Sequence, residues 1–332
     1  MKKRRLGKTD LLISPFCLGT MNFGKLISRE NAHSIIRLAN DFGVNFYNVA
    51  DFDYGETSQV IMGEAFSNYL NRQDIILSVE ICGKDMNVPQ NPNLTCTYIK
   101  SACEKALFRL KTDYIDLYNV PRPNPNIPIE ETLYALSDLQ REGKIRYYGC
   151  STFPAWMVME SISSAEKMQI DGFVTEQPPY NLLERRVENE LVPLAMKYGI
   201  SLIPWAPLAQ GVLTGRYKDI TNIPADSRAK ILGGVYSERV TAKGIEAWKQ
   251  FHMIAKSLSL TDAQAAYVWV KNRPCVAAPI VGVRDCNQLS ELLKVIDLGF
   301  SQEEYDLFDS INPSGTSIVD FYNTAPWMKM KI

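Results

Sequence analysis

Histidine is scarce in this chain, with His33 and His252 the only two in 332 residues, and both fall in segments with helical patterning. The seven cysteines, Cys17, Cys82, Cys96, Cys103, Cys150, Cys275 and Cys286, are odd in number and scattered, with no Cys-x-x-Cys pair. That pattern argues against a disulfide framework or a zinc site and fits reduced thiols in a cytoplasm. No apolar run approaches the roughly 20 residues of a membrane helix. The formal charge is -1, and the one basic cluster is Lys2-Lys3-Arg4-Arg5 at the start, so a nucleic-acid partner is not expected. Leu6-Gly7-Lys8-Thr9-Asp10 follows that cluster in place of an apolar core, so a secretory signal is not expected either. Gly-x-Gly-x-x-Gly after an early strand is also missing, which removes the main signal for an open dinucleotide-binding sheet. These absences point to a soluble cytoplasmic protein with no membrane or metal requirement.

What is present is a long alternation of short apolar runs and amphipathic segments. Tyr114–Val120 is apolar, aromatic and β-branched, as a buried parallel strand is, and lies between helical patterns at 98–110 and 129–141. The same unit recurs. Strands are expected at 16–19, 44–50, 74–81, 145–151, 172–177, 200–205 and 276–281, with intervening helices that include 155–168, 184–198, 245–258 and 263–271. Ser28 is placed to cap a helix carrying Ala32, Ile35, Ile36 and Ala39 on one stripe, and Gly43 to end it. Residues 4–13 read as a hairpin, the stretch from 206 to about 241 as polar loop, and 288–296 and 302–311 as closing helices. Eight strand–helix units with no linker or composition shift predict an α/β fold, a single (β/α)8 TIM barrel spanning 1–332, with 46% apolar residues sufficient for one large core. In such a barrel the site lies at the C-terminal ends of the strands.

Those strand ends carry a family resemblance. Arg5-Leu6-Gly7-Lys8-Thr9, Leu18-Gly19-Thr20-Met21-Asn22-Phe23-Gly24, Tyr114-Ile115-Asp116-Leu117-Tyr118, Gly143-Lys144-Ile145-Arg146-Tyr147-Tyr148-Gly149-Cys150-Ser151, Trp205-Ala206-Pro207-Leu208-Ala209-Gln210-Gly211 and Pro279-Ile280-Val281-Gly282 together resemble the aldo-keto reductases over nearly the whole chain. The resemblance implies hydride transfer from NADP(H) to a carbonyl, with a tyrosine as proton donor, a lysine and an aspartate that tune it, and a histidine that orients the substrate. A phenol titrating near 10 needs a nearby cation to give up its proton near neutrality.

At the matching positions this chain departs from that pattern. Pro121 stands where the histidine is expected, Glu80 where the lysine is, and Asn48 where the aspartate is. The tyrosine position falls on Asp53, with Tyr54 one further. Asn48, Asp51, Asp53, Tyr54 and Glu80 would then crowd one side of the mouth, where a desolvated carboxylate can act as a general base. Lys84 is a candidate replacement cation, although its loop position also fits a solvated lysine.

The cofactor positions are better kept. By resemblance, Gly19, Thr20 and Met21 follow the first strand, Ser151, Thr152 and Gln177 hold the nicotinamide carboxamide, and Trp205 and Ala206 lie against its ring. Leu208 and Gly211 follow in a loop whose glycines admit a pyrophosphate. Gly282, Arg284 and Gln288 match an adenosine-end pattern, with Arg284 suited to a ribose phosphate and Leu292 replacing an asparagine. Pro121 and Arg122 shape the substrate side. Three readings follow: an NADP(H)-dependent oxidoreductase acting on a small or sugar-like carbonyl compound with a non-standard site; a lyase, dehydratase or isomerase using the mouth carboxylates; and a non-catalytic binding or regulatory homologue. The oligomeric state is not legible in the sequence.

Overall fold

The computed structural model describes residues 1–50, 57–81 and 93–323. An antiparallel hairpin, β1 (Arg4–Arg5) with β2 (Leu12–Ile13), precedes eight parallel strands. They are β3 (Cys17–Gly19), β4 (Phe46–Ala50), β5 (Ile76–Glu80), β6 (Ile115–Val120), β7 (Ile145–Ser151), β8 (Thr175–Gln177), β9 (Ser201–Leu202) and β10 (Ile280–Val281). From β3 to β9 each pairs with the next in sequence, and β10 returns to pair with β3. The last seam is closed by backbone bonds from Leu202 to Cys275, Ala277 to Leu202 and Ile280 to Pro204. The expected (β/α)8 barrel is therefore what forms.

The outer layer comprises α1 (Arg29–Asp41), α2 (Thr57–Asn68), α3 (Cys96–Leu110), α4 (Ile129–Arg141), α5 (Ala155–Met168), α6 (Leu191–Tyr198), α7 (Arg228–Leu232), α8 (Val235–Glu238), α9 (Ala242–Ser257), α10 (Asp262–Lys271), α11 (Cys286–Leu293) and α12 (Gln302–Asp309). Among the described residues, no helix is long and apolar enough to cross a membrane. The Ser28 hydroxyl accepts from Asn31 N, and Gly43 ends α1 with φ +80°, both as expected.

Three expectations are corrected. The strands at 200–205 and 276–281 shorten to two residues each, because Pro204 and Pro279 supply no ladder donor there. The helix expected at 184–198 begins only at Leu191. Upstream of it, Glu184 is held out of the helix by bonds to Arg186 and to Phe321 N, and a 3-10 turn fills Arg186–Glu188. The stretch expected as polar loop contains α7 and α8, the first capped by Ser227.

The barrel interior is layered. At the bottom, Leu6, Leu11 and Ile13 of the hairpin segment pack on Cys17, Phe46 and Leu117 in one apolar cluster, so the hairpin plugs the barrel. Above it lies a polar layer. Ser78 Oγ donates to Asn48 Oδ1 (2.8 Å), Asn119 Nδ2 to Ser78 Oγ (2.9 Å), Gln177 Nε2 to Asn48 Oδ1 (3.3 Å) and Thr175 Oγ1 to Asn119 Oδ1 (3.3 Å). Mutual bonding is what allows these buried groups to stay inside. The mouth lies above this layer.

Outside the ring, α2 approaches α3 so closely that a Cβ on Gly63 would lie 2.2 Å from the Arg109 carbonyl oxygen. The obstacle is backbone and cannot swing away. Gly63→Ala is therefore expected to cost about 2 kcal/mol through overpacking. The measurement is a lower urea midpoint at unchanged m; an unchanged midpoint would show that the two helices can separate freely.

Candidate active site

A cavity of about 1310 Å³ opens at the C-terminal ends of the strands. Asp51, Asp53, Tyr54 and Lys84 lie outside the described residues. The other candidate catalytic, cofactor and substrate residues line this one cavity: Gly19, Thr20, Met21, Asn48, Glu80, Pro121, Arg122, Ser151, Thr152, Gln177, Trp205, Ala206, Leu208, Gly211, Gly282, Arg284 and Gln288. Residues separated by more than two hundred positions meet because the barrel is a ring.

Register separates Asn48 from Glu80. Asn48 pairs with Ser78, whereas Glu80 pairs with Ala50 two residues higher. Asn48 thus belongs to the polar layer, with its side-chain oxygen taken up by Ser78 and Gln177. Glu80 lies level with Ala50 of β4 and Asn119 of β6 and is 6% exposed. Burial pushes its carboxyl up to about 8, while the Arg122 guanidinium and a hydrogen bond from Ser151 pull in the opposite direction. A carboxyl in that range is mostly protonated at neutral pH and still able to ionise.

The neighbouring carboxyl, Glu176, projects to the other face of β8 from Gln177. It is fully buried, and burial drives its titration well above the ordinary carboxylate range. Its Oε1 accepts from Phe153 N at 3.1 Å and Oε2 has no partner among the described residues. It latches the corner after β7, where Thr152 holds φ +58°. Ala206 (φ +55°) and Gln210 (φ +55°) are also left-handed and line the same cavity. Non-glycine residues in this region are strained, and such strain collects at ligand sites.

Trp205 is fixed at the centre by its Nε1 donating to Thr152 Oγ1 at 3.2 Å. Beyond it, Gly211 adopts φ +97°, which lets the backbone turn along the cavity. Arg284 reaches Asp226 at 3.3 Å, and Gln288 Oε1 accepts from Arg284 N at 3.0 Å, so part of Gln288 is committed to holding that loop. Gln210 Oε1 and Arg216 Nε are buried without hydrogen-bond partners among the described residues. An elongated cavity with an aromatic face, a central amide, unsatisfied polar atoms and arginines at its far end suits a dinucleotide. The residues present therefore fit NADP(H).

Sequence reading missed Arg216, Arg228, Tyr236 and Arg239, which also line the cavity. They come from the segment between β9 and α9, whose short helices carry no periodic signal. Neither histidine takes part: His33 of α1 bonds Glu64 of α2 and Tyr69 just beyond that helix, and His252 bonds Asp262.

The profile of the Aldo/keto reductase family matches residues 15–313. An uncharacterized oxidoreductase, YrpG, of Bacillus subtilis is 31% identical over 94% of this chain and 96% of its own length. A probable voltage-gated potassium channel subunit beta of Arabidopsis thaliana is 32% identical over 90% of this chain and 92% of its own. The aldo-keto reductase AMT2 of Alternaria alternata is 30% identical over 91% and 89%.

Proposed function

This chain belongs to the aldo/keto reductase family, and from that premise we propose that it is an NADP(H)-dependent oxidoreductase acting on a small carbonyl compound, with Glu80 in the role of proton donor. The chain is read as one barrel domain. The observation that carries the proposal is the placement of a buried carboxyl, raised to about 8, in the same cavity as Ser151, Gln177, Trp205 and Arg284.

A bound nicotinamide supplies hydride. The chain's part is to hold the ring, orient the carbonyl and deliver a proton. Trp205 offers its face to the ring, and Ser151 and Gln177 offer polar groups to the carboxamide. Protonated Glu80 donates a hydrogen bond to the substrate oxygen and gives up its proton as charge develops there. The exchange of the usual lysine for glutamate therefore changes the proton donor without abolishing acid catalysis. In the oxidative direction Glu80 must be ionised and acts as base. Asn48, neutral and bonded into the polar layer, supports the floor of the site. Asp53 and Tyr54, outside the described residues, are proposed as further catalytic residues.

The test is titration of the purified protein with NADPH and NADH, followed by quenching of tryptophan emission, then by turnover at 340 nm across a carbonyl panel. NADPH is expected to bind at least tenfold more tightly than NADH. Arg284→Ala is expected to weaken NADPH binding by about 10- to 100-fold and NADH binding little, since it removes a charged donor to a ribose phosphate. Absence of NADPH binding by the unaltered protein overturns the proposal and favours cofactor-free proton transfer at Glu80.

A further inference from the structure

Trp205 owes its plane to few partners. An indole has one hydrogen-bonding group, its N–H, and here that group donates to Thr152 Oγ1 at 3.2 Å. The backbone of Trp205 is tied to the chain just beyond β8, its N donating to the Pro178 carbonyl at 2.9 Å. Beside the ring lie Phe321, with centroids 6.2 Å apart, and the Arg239 guanidinium, 5.2 Å from the indole centroid. Arg239 is in turn held by Nε donating to Asn323 Oδ1 at 3.0 Å and Nη2 to the Phe321 carbonyl at 3.1 Å. Apolar packing is non-directional, so the edge of the ring is oriented by its bond to Thr152.

The oxygen that receives this bond stands on a strained residue. Thr152 is β-branched, 4% exposed and left-handed at φ +58°, a region that such residues rarely enter. Two bonds from β8 and its side chains keep the corner there. Thr152 N donates to the Gln177 carbonyl at 3.0 Å, and Phe153 N to Glu176 Oε1 at 3.1 Å. Beyond the last β7–β8 pair, Ser151 with Gln177, a side-chain carboxyl thus takes the next amide, and the chain leaves the sheet toward α5. Glu176 is fully buried, so the corner is set from within the core. Strain held in this way by its surroundings is a mark of ligand sites. Thr152 lines the cavity, yet its oxygen is already engaged by the indole.

We propose that Thr152 is a positioning residue, which sets the plane of Trp205 against the nicotinamide and acts on the cofactor through that ring, not as a ligand of the carboxamide. The inference rests on reading Trp205 as the face on which the nicotinamide lies. It gives Thr152 a role different from the one expected by resemblance, which was to share the carboxamide with Ser151 and Gln177. Hydride transfer depends on the distance and angle between ring and carbonyl, so a tilted stacking face acts on the chemical step more than on binding.

Three substitutions in the full-length protein separate the roles. Thr152→Val keeps the volume and the branch but removes the acceptor, Thr152→Ser keeps the acceptor, and Trp205→Phe keeps an aromatic face without the N–H. Thr152→Val is expected to lower kcat about 10-fold, with the Kd for NADPH within about threefold of the parent, as a small misplacement of the ring would. Thr152→Ser is expected to keep kcat within about threefold, since its hydroxyl can accept the same bond. In the Trp205→Phe background, Thr152→Val is expected to change kcat by less than about twofold, because two residues that act through one contact are not additive. A further loss of about 10-fold in that background, or a comparable rise in the Kd for NADPH of Thr152→Val alone, overturns the proposal and makes Thr152 a cofactor ligand.

A second readout needs neither cofactor nor turnover. The emission of each protein minus that of its Trp205→Phe counterpart isolates Trp205 from the other tryptophans. Thr152→Val is expected to shift that component and Thr152→Ser to leave it in place; an unshifted component in Thr152→Val overturns the proposal. If Thr152→Val does not fold, Thr152→Ala, which also lacks the acceptor, carries the same expectations. A parent protein that binds no NADPH overturns the oxidoreductase reading alone, and the emission of Trp205 then decides whether Thr152 orients the indole.

Discussion

Glu80→Gln is expected to lower kcat for carbonyl reduction by about 10²- to 10³-fold, the usual contribution of a positioned proton donor. The amide keeps the shape and a hydrogen-bond donor but has no proton to deliver. The pH dependence carries the sharper information. With Glu80 raised to about 8, reduction by the parent enzyme should decline as pH rises through that value, oxidation of the alcohol should rise, and the variant should lack both inflections.

The stability of the variant should move the opposite way from its activity. Between the ordinary carboxyl value of about 4.3 and the folded value, the folded protein holds a proton that the unfolded chain has released. Stability due to this group therefore falls as pH rises from about 4.5 to 8, and stays low above it. Gln at 80 escapes that loss, so the variant should melt higher than the parent at pH 9 and close to it at pH 5. A variant with lower activity and lower stability at every pH would mark Glu80 as structural only.

Asp116→Ala is expected to cost about 3 to 5 kcal/mol, the range for breaking one side of a buried ion pair. Asp116 is 1% exposed on β6 and accepts from Arg72 Nη2 at 2.8 Å, from Leu77 N at 3.0 Å and from Arg146 Nη1 at 3.1 Å. It ties three successive strand regions together at the base of the barrel, on the side remote from the site. Its removal leaves the buried Leu77 N–H without a partner and Arg72 without its carboxylate. The readout is the urea midpoint, with NADPH affinity of the folded fraction unchanged. A loss below 1 kcal/mol would mean that water replaces the carboxylate at this point.

The barrel was legible because its signal is local and repeated. Runs such as Ile115–Val120 and Ile145–Ser151 are apolar enough to be strands in any context, and α4 and α5 begin behind Pro128 and Pro154, as helices often do. Where prolines cut the ladder, at Pro204 and Pro279, strand boundaries depended on which backbone donors the neighbouring strand could reach, and sequence patterning overran them. The start of α6 was misplaced for a similar reason. Glu184 is helix-forming by propensity, but Arg186 and the Phe321 amide, 137 residues away, claim its carboxylate.

The same division runs through the site. Residue types at the strand ends were fixed by sequence: a glutamate at 80, an asparagine at 48, a proline at 121, a tryptophan at 205. Tertiary structure decided what they are. Burial of Glu80 at the mouth turned a carboxylate that looked like the wrong charge into an acid able to hold its proton. Register put Asn48 one layer lower, among Ser78 and Gln177. Arg239 had no signal at all, since a guanidinium in a polar segment reads as solvated until Trp205 and Phe321, from distant parts of the chain, close around it with its near neighbour Tyr236. Strand pattern is a property of neighbouring residues and survives in the sequence; the energy of a charge depends on everything packed around it, which only the fold supplies.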